Sequence, residues 1–308
     1  MQIEIIGTES LGVRGLCTVV TVKNRRIVVD PGVALGYSRH GKLPHPFQVT
    51  VGVKIREKII ESLKSATDVV ISHYHGDHIP LVNPNPYQLD ARMVIKACQN
   101  TSFWCKDPGD PSDKISIRYY ELSRLLSMDL PIVEGQKNEL MTFSDPQPHG
   151  EMDSGLGMVM MTRIQDGKDV FVHASDIQLL YDDSISYILN WKPDIVLVSG
   201  PPLYLSYLTS EQKEKAHYNA VRLAGSVGTL IIDHHLLRSE EGRCWLDNLA
   251  SSTGNKIICA ADFMGCRRLL LESWRDYLYD KMPVPNGWHE AYANGKVNTD
   301  EYGKFPLS

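Results

Sequence analysis

Long apolar runs are missing from this 308-residue chain. None approaches the ~20 residues that a bilayer-spanning helix needs, so no helical membrane protein is expected. Cysteine is sparse: Cys17, Cys98, Cys105, Cys244, Cys259 and Cys266 are scattered and form no Cys-x-x-Cys pair. In a reducing compartment most of them are expected to be small buried apolar residues. Excess positive charge is also absent. With 32 Lys and Arg against 37 Asp and Glu, the formal net charge is −5. That argues mildly against a nucleic-acid scaffold, which usually carries a basic face, without excluding a local basic groove. No repeat or low-complexity segment stands out. The opening Met1-Gln2-Ile3-Glu4-Ile5-Ile6-Gly7 reads as a strand holding an acid, not as a signal peptide, and the expected location is cytoplasmic.

What the chain does have is apolar content of 43% against 22% charged residues, enough for a sizeable core. It also has one dense cluster of chemistry. Ile71-Ser72-His73-Tyr74-His75-Gly76-Asp77-His78 places three histidines and an aspartate in six positions, directly after the apolar run Asp68-Val69-Val70-Ile71. Imidazole and carboxylate are the ligand types of zinc-like metals. Four such groups on so short a segment cannot all reach one ion. At alternating positions on a strand-to-loop turn they split, His73 and His75 one way, Asp77 and His78 the other. That division suits two adjacent cations and activated-water chemistry.

Periodicity and turn signals organise the rest. Strands are expected at Ile3–Ile6, Leu16–Val22 and Ile27–Val29, the last ending in Asp30-Pro31-Gly32. Residues 33–52 read as an irregular loop and 54–64 as a helix. Residues 79–118 read as a long connection with a short strand at 93–95, either covering the site or forming an interface. Strands at 139–143, 157–164 and 169–172 come next, the last two joined by a hairpin at Asp166-Gly167-Lys168. Thereafter helices at 183–190, 210–224 (N-cap Thr209), 239–249 and 267–279 alternate with strands at 195–198, 229–232 and 256–259. Two β-rich halves, each with helices, predict an α+β protein in which two packed sheets carry helices on their outer faces. Residues 1–282 form the domain. Residues 283–308 form an arm, with Trp274, Tyr277, Tyr279, Trp288 and Tyr292 nearby, packed on the domain or on a second subunit of a homo-oligomer.

The motif order resembles that of the metallo-β-lactamase superfamily over nearly the whole chain. Asp30 is similar to its first motif, and His73, His75, Asp77 and His78 to the second. His149 resembles the third, Asp176 the fourth and His234 the last. The segments Asp-Pro-Gly-Val-Ala-Leu-Gly-Tyr and Asp-His-His-Leu-Leu-Arg further resemble a mainly archaeal family of predicted metal-dependent hydrolases. The resemblance implies the four-layer αββα sandwich. It assigns His73, His75 and His149 to one divalent metal and Asp77, His78 and His234 to a second, with Asp176 between them. Asp30 is then a group that fixes a ligand imidazole. Asp77, His78 and Asp30 are the residues expected closest to catalysis. His234 and His235 compete for one place, since neighbours on an extended segment point to opposite sides; His234 is favoured because it follows the strand directly. His173 is expected to be a core residue and His217 a solvated one.

Zinc is the expected metal by ligand type, with manganese, iron or nickel also acceptable. Retention of His75 argues against a redox di-iron site. The expected activity is hydrolysis of a small-molecule ester, lactone or phosphodiester. Arg14, Tyr37, Arg39, His40 and His45 are the candidates for substrate contact, from loops expected at the metal rim. An RNA-processing nuclease is the alternative. Only 57 residues separate Asp176 from His234, too few for the inserted cap domain of one such branch. No long basic arm, the mark of the tRNA-processing branch, is evident. A non-catalytic metal-binding sensor is the third reading, opposed by the presence of all seven ligand positions.

Overall fold

The computed structural model describes residues 1–152 and 154–303. The last five residues of the expected arm, 304–308, lie outside the described residues. Strands β1 (Gln2–Gly7), β2 (Cys17–Val22), β3 (Arg25–Val29), β4 (Asp68–Ile71) and β5 (Ser102–Cys105) form one sheet in that order. The second sheet has the order β13-β12-β11-β10-β9-β6. Its members are β6 (Met141–Phe143), β9 (Thr162–Asp166), β10 (Asp169–His173), β11 (Ile195–Ser199), β12 (Thr229–Asp233) and β13 (Ile257–Ile258). A small ladder pairs β7 (Gln147–Pro148) with β8 (Met158–Val159).

Period-two alternation explains the layering. In β3, Ile27 and Val29 face the core between the sheets while Val28 faces outward. In β12, Ile231 faces inward while Leu230 and Ile232 face the outer helices. Both faces of both sheets are therefore apolar, and each must be covered. Helix α1 (Pro46–Lys64) covers the first sheet through Val49, Ile55, Ile59 and Leu63. Helices α3 (Asp182–Asn190), α4 (Ser210–Ala224) and α5 (Glu240–Thr253) cover the second through Ile185, Ile188, Ala220, Leu223, Leu246 and Leu249. The result is the αββα sandwich. No helix among the described residues is long and apolar enough to cross a membrane.

Several boundaries differ from the sequence expectation. Helix α1 starts at Pro46, inside the expected loop 33–52, because Pro46 sits in the first turn and the His45 side chain accepts from the Phe47 N–H. The expected strand at 93–95 is instead a 3-10 turn over Ala91–Met93, capped by Asp90; the strand of this region lies later, at Ser102–Cys105. Helix α2 (Ile117–Leu126) begins at the end of the connection and extends beyond it. The expected strand 157–164 is split between β8 and β9, which pair with different partners. After β13 comes a single helical turn, α6 (Ala260–Phe263). The helix expected at 267–279 is shorter and later, α7 (Arg275–Lys281). The arm carries α8 (Trp288–Ala293). Trp288 and Tyr292 stack with ring centroids 5.2 Å apart, and Tyr292 stacks on Tyr87. This segment packs on the first sheet's helical layer.

His45 closes the start of α1 twice over, with Nδ1 accepting from Phe47 N at 3.1 Å and Nε2 donating to the Met282 carbonyl at 2.8 Å. Replacing it by alanine deletes the cap and leaves the part-buried Met282 carbonyl without its partner. His45→Ala is expected to lower the unfolding free energy by about 2 kcal/mol, read as a lower urea midpoint with an unchanged slope.

Candidate metal centre

The parallel pairings β3–β4 and β10–β11–β12 send several strand C-termini to one rim of the sandwich. The chemistry of the chain sits just beyond those ends. Asp30 follows β3, His73 to His78 follow β4, Asp176 follows β10, and His234 and His235 follow β12; His149 follows β7. Backbone strain concentrates here. Asp30, Ser175, Gln178 and His235 all have φ between +51° and +66°, a region costly for residues with a Cβ and often found at functional sites. Gly32 has a different role: a Cβ there would lie 2.2 Å from the Ile79 nitrogen. Only glycine lets the turn after β3 lie against the His78 backbone.

Asp176 is the focus. Its Oδ2 lies 3.0 Å from the Nε2 of His235, 3.2 Å from those of His78 and His149, 3.4 Å from that of His234 and 3.7 Å from that of His73. His234 Nε2 in turn lies 3.6 Å from Asp77 Oδ2. Ligand atoms converge in four sets: His73, His75, His149 and Asp176; Asp77, His78 and His234; Asp176, His234 and His235; and Asp30, His73 and His78.

The imidazoles are oriented from behind. Asp30 Oδ2 accepts from His78 Nδ1 at 2.9 Å, while its two oxygens also accept from the Ser72 N–H and hydroxyl. Since that hydroxyl donates to Asp30, its oxygen is free to accept from His73 Nδ1 at 3.0 Å. Glu9 Oε2 accepts from His234 Nδ1 at 2.7 Å, and Arg238 is paired to the other oxygen of Glu9. The Gln178 amide lies 3.3 Å from His149 Nδ1. With Nδ1 donating backward in His73, His78 and His234, each turns its Nε2 toward Asp176.

Electrostatics divide the histidines. Burial, reinforced by neighbouring imidazoles, pushes His73 well below its usual range and His75 down to about 4. Burial also lowers His235, with Arg238 adding to it. Burial opposes protonation of His234 as well, but Glu9 and Asp176 overcome it and raise that group to about 9. Asp176 is itself held well below the carboxylate range; burial opposes this, and the charges of His234, His78 and His235 outweigh it. Neutral imidazole is the form that binds metal. The Nε2 atoms of His73 and His149 and the Oδ1 of Asp176 are buried and lack hydrogen-bond partners. Buried polar atoms are normally satisfied. These unpaired donors, grouped with carboxylate oxygens, are the arrangement divalent cations complete, and the site fits them.

From the sequence, only one of His234 and His235 is expected to bind; both rings are brought to Asp176, because the strand ends at Asp233 and the φ of +66° at His235 breaks the alternation. His173 is buried with Nε2 donating to the Leu16 carbonyl, and His217 is exposed on α4.

The substrate candidates fare differently. His45 is fully buried with both ring nitrogens engaged inside the fold, so it is a helix cap and not a substrate contact. Arg14 is held by both oxygens of buried Glu272. Arg39 donates to the Arg238 carbonyl and lies over the Tyr204 ring, 4.4 Å from its centroid. Tyr37 and His40 are exposed on the same segment. None of the five lines the cavities that open beside the histidines. One of these, about 420 Å³, reaches from His75, His149 and His235 to Tyr204 and Leu208. The other, about 160 Å³, lies between His73, His75, Lys106 and Ser116. The connection 79–118 thus supplies a wall of the smaller cavity. Sequence reasoning missed Glu9, Ser72, Gln178 and Arg238. Only Ser72, inside the motif, left a local trace; Glu9 is 225 residues from its histidine partner.

Three comparisons bear on this geometry. The model of the metallo-beta-lactamase superfamily matches residues 11–81. A UPF0282 protein of Methanosarcina mazei is 49% identical over 302 residues, covering 98% of this chain and 99% of its own. One from Methanopyrus kandleri is 33% identical over 290 residues, covering 90% and 99%. Among solved structures, the metallo-beta-lactamase fold protein YhfI from Bacillus subtilis aligns with a TM-score of 0.51 at 14% identity, over 83% of this chain and 95% of that one. This last likeness concerns the fold alone.

The Arg14–Glu272 pair gives a test. Burial opposes ionisation of Glu272, but Arg14 prevails and lowers it to about 2. A depressed folded value contributes stability that is fully present above the ordinary glutamate value of about 4.3 and is lost as pH falls toward 2. Glu272→Gln is expected to reduce stability by about 3 kcal/mol at pH 7, with the difference from wild type shrinking between pH 4 and pH 2 in denaturant titrations.

Proposed function

This chain belongs to the UPF0282 family, and we propose that it is a metal-dependent hydrolase with a dinuclear centre acting on a small molecule. The observation that carries the reading is the ring of five Nε2 atoms around the buried Asp176 Oδ2, with unpaired donors on His73, His149 and Asp176. His73, His75 and His149 would hold one cation, Asp77, His78 and His234 the second, and Asp176 both. Zinc suits this nitrogen and carboxylate set; manganese, iron or nickel would also be accepted. Bound there, two such ions supply Lewis acidity, lowering the pKa of a water and polarising the group under attack.

The chain's own residues do the rest. Asp30, Ser72 and Glu9 fix the ring orientations of His78, His73 and His234, so that little reorganisation accompanies binding. Asp77 is held ionised; burial opposes it, and His78, His234 and Arg238 prevail. An ionised carboxylate at the rim of the pair can take up or orient a water proton. His235 lines the larger cavity and is placed to contact whatever occupies it. A reducing cytoplasm is the compartment this reading adopts, in keeping with six unpaired cysteines, two of them exposed.

Metal analysis with activity screening tests the reading. The purified protein is expected to hold two equivalents of metal and to lose turnover on chelation. His75→Ala should drop the stoichiometry toward one and abolish activity. Asp30→Asn, which keeps shape but loses the charge behind His78, should weaken metal affinity by about 10- to 100-fold. A wild type that binds no metal above background sinks the proposal. Two firmly bound metals without turnover of any ester, lactone, thioester or phosphodiester would favour a sensor instead.

A further inference from the structure

The larger cavity begins at His75, His149 and His235 and runs outward between the loop after β7 and residues 202–208. Beyond the histidines its walls are mainly Leu156, Leu180, Leu205, Leu208, Tyr204 and Tyr207. No lysine or arginine stands among the described residues that line it. Its single carboxylate outside the metal cluster, Glu151, is already engaged by the Gln212 amide and by Lys215 at 3.8 Å. Leu156 and Tyr207, from two separate segments, are 40% and 71% exposed. Apolar groups left uncovered at the opening of a cavity beside reactive groups mark where an apolar ligand part is received.

We propose that the substrate is an uncharged acyl compound, an ester, lactone or thioester, whose apolar acyl group fills this cavity. This rests on the hydrolase reading above and narrows it. The apolar wall rewards each buried methylene, by about three- to fourfold in affinity. An RNA strand would bring its further phosphates, beyond the one at the metal ions, against leucine and tyrosine with no lysine or arginine to pair them, which costs more than it returns. The chemistry balances with water alone. The acyl carbon gains the water oxygen, and its bond to the leaving oxygen or sulfur breaks with the electron pair staying on the leaving atom. A water proton ends there, giving a carboxylic acid and an alcohol or thiol. Tyr204, whose hydroxyl accepts from Arg238 at 3.2 Å, stands on the same wall.

The test uses the zinc-loaded protein and a series of p-nitrophenyl esters from acetyl to octanoyl, beside bis(p-nitrophenyl) phosphate and a single-stranded RNA oligonucleotide. The expected result is a kcat/KM that rises about three- to fourfold per methylene, mainly through KM, until the chain outgrows the cavity. Leu205→Arg should flatten this dependence. Tyr207→Ala, at an exposed position that does not threaten folding, should weaken it about threefold. A flat series, or faster turnover of the phosphodiester or RNA than of the longest ester, overturns the proposal. Failure of the hydrolase reading looks different: no substrate of any class turns over. The cavity is then judged by calorimetry with primary alkyl amides of increasing length, where rising affinity upholds an apolar acyl ligand and a flat series removes it.

Discussion

A carboxylate sunk to 1% exposure and ringed by five imidazoles is the constraint on which this molecule turns. Burying Asp176 is expensive unless opposite charge accompanies it. In the protein alone that charge comes from His78 and His234; burial opposes it, and Asp176 with Asp30 keeps His78 cationic while Glu9 with Asp176 does the same for His234. Arg238 balances Glu9 in turn. The cluster is therefore a chain of alternating signs reaching from the first residues of the chain to residue 238. Its inner members are poised to exchange protons for metal ions, as metal binding at imidazoles generally requires.

The sheets explain how such a chain can exist. Parallel strands end together, so residues dozens or hundreds of positions apart arrive at one rim. The strained backbone at Asp30, Ser175 and His235 then turns side chains that would otherwise alternate away. Packing on both faces of both sheets supplies the rigidity that holds these conformations.

Much of this was legible in the sequence. The apolar runs of β3, β4, β10, β11 and β12, the hairpin at Gly167 and the capped start of α4 at Thr209 all carry local signals, and the structure has them. The His73–His78 cluster announces metal chemistry by spacing alone. What escaped has a common physical origin. The burial of His45 escaped because its second bond reaches Met282, far along the chain, although its cap bond to Phe47 is local. Arg14 looked like a free cation because buried Glu272 is 258 residues away. His235 looked excluded because alternation holds only while a strand continues, and no residue type signals the positive φ there. The apolar cavity is assembled from loops with no periodicity, so its leucines and tyrosines read as ordinary core.

The site is also a seam. Asp30, His73, His75, Asp77 and His78 hang from the first sheet, whereas His149, Asp176, His234 and His235 follow strands of the second half of the chain. Two of the converging sets, His73, His75, His149 with Asp176 and Asp77, His78 with His234, draw on both sides of that seam. Those two sets exist only once both halves have docked, so an ion held by either would act as a clasp across the joint.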